Sequence, residues 1–366
     1  MIFFYPCRDT ICHRWTIYVP VVGGDVIRSL LKLQQHLVPD LMQTMLKRYR
    51  FLQSIRLMQP IGRRGLATNM QLSERIVRGE VTLLKDQGLI DLSTAGMTLT
   101  AHGEAVFTEL EEVVAELLGL THLEERLATH LGLTRVIVVA GNSDDDEWVK
   151  QELGRACMKE IQAIAEENDV LAVMGGTTLA AVANMAERNE TLASTTFVPA
   201  RGGLGEKVEI QANTISAEFA RRTGAAYRLL HVPDQLSEDA YRSLVLEPTV
   251  KDILEVIKSS AVVIHGIGDA QRMATRRHSK DLFMETLERE QAVAEAFGYY
   301  FDASGKIIYK QRTIGLQLNE LEGKHVISVA GGKSKANAIL AFMKHRPSDV
   351  LVTDEAAAKE LLQHKA

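Results

Sequence analysis

Seven short apolar runs spaced through the second two thirds of the chain constrain its fold more than any other feature. They read "RVIVVA", "VLAVMG", "TFVPA", "YRLLHVP", "AVVIHGI", "VISVAG" and "DVLVTD", with helical patterns between most of them. A strand that is apolar on consecutive residues is covered on both faces, and helices that cross over between parallel strands provide that cover. The pattern predicts one α/β domain over residues 131–366, Rossmann-like, with a mostly parallel sheet. In such sheets ligands bind beyond the carboxyl ends of the strands, where the loops gather.

Four of those loops carry polar or glycine-rich chemistry. Gly175, Gly176, Thr177 and Thr178 follow the second run, where glycines admit close backbone approach and the first amides of a helix point at an anion. Arg201, Gly202 and Gly203 follow the third. His265, Gly266, Ile267 and Gly268 end the fifth, with Arg272, Arg276 and Arg277 shortly after. Gly331, Gly332, Lys333, Ser334 and Lys335 end the sixth. "MGGTT" and "AGGKSK" together suit one phosphate, and the guanidinium forks of Arg201 and Arg276 suit a second. "GGKSK" is not a P-loop, because Ile327 stands where that motif needs its first glycine. "HGIGDA" lacks the third glycine of a dinucleotide turn.

Charge divides the chain. Between Lys47 and Lys85 stand nine basic residues against two acids, Glu74 and Glu80, although the whole chain has a net charge of −5. The chain as a whole is therefore no polyanion binder, and a nucleic-acid surface has to be local. The basic region reads in order as a long amphipathic helix stopped by Pro60, a short helix carrying Arg63 and Arg64, and a third helix. Ser73 is the third helix's N-cap, Gly88 its stop, and Leu72 and Val77 form a hydrophobic staple. Val77, Val81 and Leu84 make its apolar side; Arg75, Arg78, Thr82 and Lys85 make the opposite side. "LIDLSTAGMTLT" then reads as a hairpin. Three helices and a hairpin predict a winged helix-turn-helix over residues 29–104, with the third helix entering the major groove. Arg63, Arg64, Ser73, Arg75, Arg78, Thr82 and Lys85 are the candidate DNA contacts. Residues 105–130 form an acidic helical stretch that suits a connector or a dimerising helix.

Residues 1–28 do not match the rest. They are aromatic-rich and aperiodic, and lack the basic start and clean apolar stretch of a signal peptide. They are expected to be a disordered or non-native extension. Cys7, Cys12 and His13 are too few for a metal site, and none is expected anywhere in the chain. Three scattered cysteines and no long apolar run point to a cytoplasmic chain without a membrane span.

The motifs "KRYRFLQSIRLMQPIGRRGLA", "SERIVRGEV", "GMTLT", "GGTT", "FVPARGGLGE", "QANTI", "YRLLHVP", "HGIG", "EAFGYYF" and "VAGGKSKA" occur in order. Together they resemble the SorC-type bacterial transcription repressors, in the branch that controls a glycolytic operon. The resemblance runs from about residue 30 to the C-terminus. It implies a winged helix joined to an effector domain with the fold of sugar-phosphate isomerases and deaminases. It also implies operator binding relieved by fructose 1,6-bisphosphate, and dimers that pair into a tetramer on DNA. By resemblance, Thr177, Thr178, Ser334 and Lys335 would hold one phosphate and Arg201, Gln211 and Arg276 the other. Glu295 would accept bonds from sugar hydroxyls. Gln211 and Glu295 come from the resemblance alone, and no cofactor is expected.

The rival reading is a sugar-phosphate isomerase or deaminase. Such an enzyme needs an acid or base at the sugar carbons besides its anion holders. The related deaminases place adjacent Asp and Glu after the third strand and a His after the glycine turn of the fifth. Here those places read "PARGGLG" and "HGIGDAQRM". His265 lies before the turn and is expected to be a packed strand-end residue, so no catalytic residue is assigned.

Overall fold

The computed structural model describes residues 33–34, 36–203, 207–233, 236–276 and 281–364. The extension expected over residues 1–28 lies outside them. The chain forms two compact units that divide between Leu117 and Leu118.

The first unit is built on three helices, α1 (Pro39–Met58), α2 (Arg63–Asn69) and α3 (Glu74–Asp86). The hairpin β1 (Ile90–Leu92) and β2 (Met97–Leu99) and the helix α4 (Ala101–Leu117) follow. Its core is Phe51, Leu52 and Ile55 from α1, Leu66 from α2, and Val77, Val81 and Leu84 from α3. Ile90, Met97 and Phe107 complete it. The Ser73 hydroxyl accepts the Ile76 amide at 3.5 Å, and Leu72 packs on the core that Val77 enters, so both start signals of α3 are in place. Ile61 pairs with Met97 as a third, single-residue edge of the wing.

Two glycines of this unit separate helix propensity from packing. Gly103 sits inside α4, and a Cβ there would overlap the carbonyl oxygen of Leu89, while a Cβ on Gly79 of α3 would meet nothing within 4 Å. Alanine improves a helix interior by about 1 kcal/mol over glycine, but forcing atoms into a filled space costs about 1–3 kcal/mol. Gly79→Ala is therefore expected to stabilise the protein by ~0.5–1 kcal/mol, and Gly103→Ala to destabilise it by ~1–2 kcal/mol. Urea denaturation of the two variants checks this, and equal signs would show that packing at Leu89 does not decide.

The second unit begins with α5 (Leu120–Leu131), so the stretch 105–130 holds parts of two helices, one in each unit. Its main sheet has seven strands: β3 (Arg135–Val139), β4 (Val170–Val173), β5 (Thr196–Pro199), β6 (Ala226–Tyr227), β7 (Val262–Gly266), β12 (His325–Val329) and β13 (Val350–Asp354). Their spatial order is β3-β13-β12-β7-β4-β5-β6, and every pairing is parallel. Leu171, Val173, Ile264, Ile327, Val329 and Val352 face one core, into which α6 (Glu147–Ile164), α7 (Thr177–Asn184) and α9 (Ala212–Thr223) send Cys157, Ile161, Leu179, Val182, Ile215 and Phe219. Ala172, Val263, Val326 and Leu351, which alternate with them, are buried as well, as the unbroken apolar runs require.

Six of the seven predicted runs are strands over most of their length. The exception is "YRLLHVP", of which only Tyr227 is in β6. Asn213 explains the difference: its side-chain amide donates to the Leu230 carbonyl and its oxygen accepts the Leu230 amide, both at 3.0 Å. Those backbone groups are satisfied by a side chain and leave no ladder to extend.

A second sheet was not read from the sequence. It is antiparallel, ordered β11-β10-β9-β8, from β8 (Gly268–Asp269), β9 (Ala294–Ala296), β10 (Tyr299–Phe301) and β11 (Ile307–Lys310). Strands of two to four residues are too short to show a period. The sheet matters because β9 carries Glu295. The remaining helices are α8 (Glu190–Ala193), α10 (Glu238–Leu244), α11 (Pro248–Lys258), α12 (Ala270–Arg276), α13 (Asp281–Arg289), α14 (Ala336–His345) and α15 (Glu355–Leu361). Among the described residues no helix is long and apolar enough to cross a membrane.

Candidate functional site

The four polar loops follow β5, β4, β7 and β12, which are contiguous in the sheet. Parallel strands carry their loops to one end, so neighbours in the sheet become neighbours around one cavity. That cavity has a volume of ≈ 320 Å³. Of the candidate effector residues, Gly175, Gly176, Thr177, Thr178, Arg201, Arg276, Glu295 and Lys335 line it.

Gly176 adopts φ +131°, a conformation that favours glycine, and its amide donates to the Ile210 carbonyl at 2.8 Å. This turn starts α7, whose first residues Thr177 and Thr178 line the cavity, and the start of a helix favours an anion. Arg201 and Glu295 meet across the cavity wall, with Nη1 3.5 Å from Oε1, and the two side chains are only 3% and 5% exposed. Glu295 Oε1 also accepts the Gly298 amide at 2.8 Å. Breaking such a buried pair by truncating one partner strands the other charge. Arg276 ends α12 and Lys335 ends the turn after β12. Burial lowers the Lys335 pKa, and the neighbouring Arg272 guanidinium lowers it further. Both effects disfavour the ammonium, so an arriving anion would relieve them.

Gln211 and Ser334 do not line the cavity. Gln211 is the residue before α9, and its side-chain oxygen lies close to Gly203. Ser334 turns to Asp144, with its hydroxyl donating to Oδ1 and its amide to Oδ2, each at 2.8 Å.

Several residues of the site escaped the sequence reading. Asp354 ends β13 and is fully buried. Its Oδ2 accepts the amides of Ser143 at 2.9 Å and Gly332 at 2.6 Å, while Oδ1 caps α15 through Ala357. It ties the loop after β3 to the turn after β12. The only sequence signal was an Asp at a strand end before a helix. Asp144, Lys150 and Phe297 also line the cavity, as does Arg272, which the sequence places shortly after the fifth strand.

His265 packs as expected. It is fully buried, its ring packs at a tilt against Phe297 and edge-on to Phe342, and it does not line the cavity. Nδ1 lies 3.1 Å from the Gly266 carbonyl and must donate to it, so Nε2 accepts the Ser328 hydroxyl at 2.7 Å. Burial pushes its pKa down to about 4 from 6.5. Above pH 6.5 the ring is neutral in folded and unfolded chains alike. As pH falls toward 4, the unfolded chain takes a proton that the folded one refuses, and stability drops by up to about 3 kcal/mol. His265→Gln is expected to lose that portion of the acid slope between pH 6.5 and 4. Urea denaturation of both proteins across this window checks it, and parallel slopes would overturn it.

In the first unit the candidate DNA contacts separate from the basic residues that brace the helices. Lys47 and Arg48 of α1 pair with Glu80 of α3, and Arg56 pairs with Glu104 while lying 4.9 Å over the Phe107 ring. Those three brace the helices. Arg63, Arg64, Ser73, Arg75, Arg78, Thr82 and Lys85 are exposed. Arg64 lies 3.5 Å from Glu74 with both side chains largely in solvent, a contact of little strength. The face of α3 opposite Val77, Val81 and Leu84 is thus cationic and open, the form a groove-reading helix takes.

Known proteins agree with this division. The CggR N-terminal DNA-binding domain model matches residues 44–114 and the Sugar-bind family of sugar-binding domains matches residues 115–363. The central glycolytic genes regulator of Priestia megaterium is 53% identical over 341 residues, which is 92% of this chain and 99% of that protein. The chain belongs to the SorC-type transcriptional regulators, in the central glycolytic genes regulator group. The Bacillus subtilis regulator of the same description is 46% identical, again over 92% of this chain and 99% of its own length. A SorC-family regulator structure from Enterococcus faecalis is 46% identical and has a TM-score of 0.62, covering 66% of this chain and 99% of its own. The full-length sorbitol operon regulator of Klebsiella pneumoniae, at 17% identity, shares the fold over 93% of this chain and all of its own, with a TM-score of 0.60.

This regulator therefore joins a DNA-binding domain to a sugar-binding domain, and its relatives are regulators rather than enzymes. The cavity is lined by the carboxylates of Asp144, Asp269 and Glu295. Its carboxylates are each held in place: Asp144 by Ser334, Asp269 by the Arg272 amide at 2.9 Å, and Glu295 by Gly298 and Arg201.

Proposed function

We propose that this chain represses a glycolytic operon and that fructose 1,6-bisphosphate, bound in the cavity of the second unit, releases it from its operator. The observation that carries the reading is that one cavity is lined by the Gly175–Thr178 turn, Lys335, Arg201 and Arg276, with the buried carboxylate of Glu295 beside Arg201. One phosphate would take the Gly175–Thr178 turn together with Lys335 and Ser334. The other would take Arg201 and Arg276, with Gln211 beside them. Glu295 would accept bonds from sugar hydroxyls. A volume of ≈ 320 Å³ lies at the small end of ligand sites and suits a compact sugar with a phosphate at each end.

On DNA the active form is a dimer, pairing into a tetramer, with the α3 helices spaced to match operator half-sites. The ligand binds a second subunit arrangement more tightly, and that difference in affinity sets how far the population shifts. No cofactor takes part.

A gel-shift with the DNA upstream of the protein's own operon, titrated with fructose 1,6-bisphosphate and in parallel with sugar monophosphates, tests the reading. Release by the bisphosphate at concentrations where monophosphates do nothing is the expected result. Turnover of any sugar phosphate by the purified protein would instead favour the isomerase or deaminase alternative.

A further inference from the structure

The turn after β12 is less open to a ligand than its sequence suggests. The Gly332 amide donates to Asp354, the Lys333 amide to Asn142 Oδ1 at 3.3 Å, and the Ser334 amide and hydroxyl both donate to Asp144. The first acceptor is buried and ties two loops together. Asp144, by contrast, is exposed and lines the cavity. Each of its carboxylate oxygens takes one bond from Ser334, as two oxygens of a phosphate would. Gly332 makes that approach possible, because a Cβ on it would stand 2.5 Å from Asp144 Oδ1. The Asp144 amide is itself held by Asn142 Oδ1 at 3.2 Å, so the carboxylate is presented by a short, locally braced loop.

We propose that Asp144 is an internal counter-anion that occupies the Ser334 donors in the empty protein and is displaced by the phosphate end of the ligand. The proposal rests on the reading that a sugar phosphate is the effector, and it adds the residue that sets affinity and charge selectivity. A phosphate dianion carries more charge than the carboxylate and out-competes it for Ser334 and Lys335. A neutral hydroxyl or a singly charged group does not. The exchange moves the Asp144 side chain alone, because Asp354 still ties the loop after β3 to the turn after β12.

The sign of one substitution distinguishes this role from a structural one. Removing a competing anion a few ångströms from the ligand's phosphate strengthens binding, whereas loosening a loop that shapes the site weakens it. Calorimetric titration of the full chain with fructose 1,6-bisphosphate is expected to show Asp144→Ala binding roughly five- to ten-fold tighter than wild type, with Asp144→Asn between them. Thr178→Ala is measured alongside and is expected to lose most of the affinity. Unchanged or weaker binding by Asp144→Ala, with Thr178→Ala impaired, would overturn the role of Asp144 and leave the effector reading standing. No binding of fructose 1,6-bisphosphate by the wild-type chain would overturn the effector reading, and the role of Asp144 with it.

Discussion

An Arg276→Ala variant is expected to bind operator DNA as the wild type does, yet to bind fructose 1,6-bisphosphate roughly 30- to 5,000-fold more weakly and to stay on the operator when the sugar is added. Arg276 ends α12 at the cavity wall, partly buried. A guanidinium holds a phosphate through two parallel charge-assisted bonds, and removing one partner of such a contact costs about 2–5 kcal/mol. Arg201→Ala would confound the test, because it leaves the carboxylate of Glu295 buried beside a missing charge. Calorimetry for the sugar and gel-shift for the DNA, on the same preparation, separate the two activities. An Arg276→Ala protein that still releases DNA at the wild-type sugar concentration would remove Arg276 from the site.

The reverse separation is expected from Arg78→Ala. Arg78 is exposed on α3, on the face away from Val77, Val81 and Leu84, and no side-chain ion pair engages it among the described residues. A base-edge contact by such an arginine is worth about 1–3 kcal/mol per site, so a dimer with two copies loses roughly 10²–10⁴ in operator affinity. If Arg78 touches phosphate instead, affinity falls on all sequences alike and the salt dependence becomes shallower by about one unit per contact. Fluorescence anisotropy on operator and scrambled DNA at several salt concentrations distinguishes the two. Sugar binding by this variant is expected to equal that of the wild type. Wild-type operator affinity would remove Arg78 from the DNA contacts.

The α/β architecture was legible because burial on both faces writes unbroken apolar runs into a chain, and six of seven runs are strands. "YRLLHVP" misled because its buried Leu230 is held by the side chain of Asn213 rather than by a strand partner. The start of α3 was legible from Ser73, Leu72 and Val77, since capping and stapling are contacts within a few residues. The second sheet was not, because its strands are two to four residues long. Eight of the ten candidate effector residues line one cavity, but two of those ten, Gln211 and Glu295, came only from family resemblance. Glu295 sits on a strand with no local signal of its role.

By itself the sequence determined the local chemistry: which turns need glycine, which helix face is cationic, and which loops seek an anion. These follow from interactions spanning a few residues and hold wherever the segment lies. The tertiary structure decided which of these features meet. Strand order brings the loops after β5, β4, β7 and β12 side by side, although they are spread over more than 130 residues of chain. It also places Asp144 and Asp354, from the loop after β3 and the end of β13, against the turn at Ser334. A hydrogen bond depends on distance in space, and only the folded sheet sets that distance.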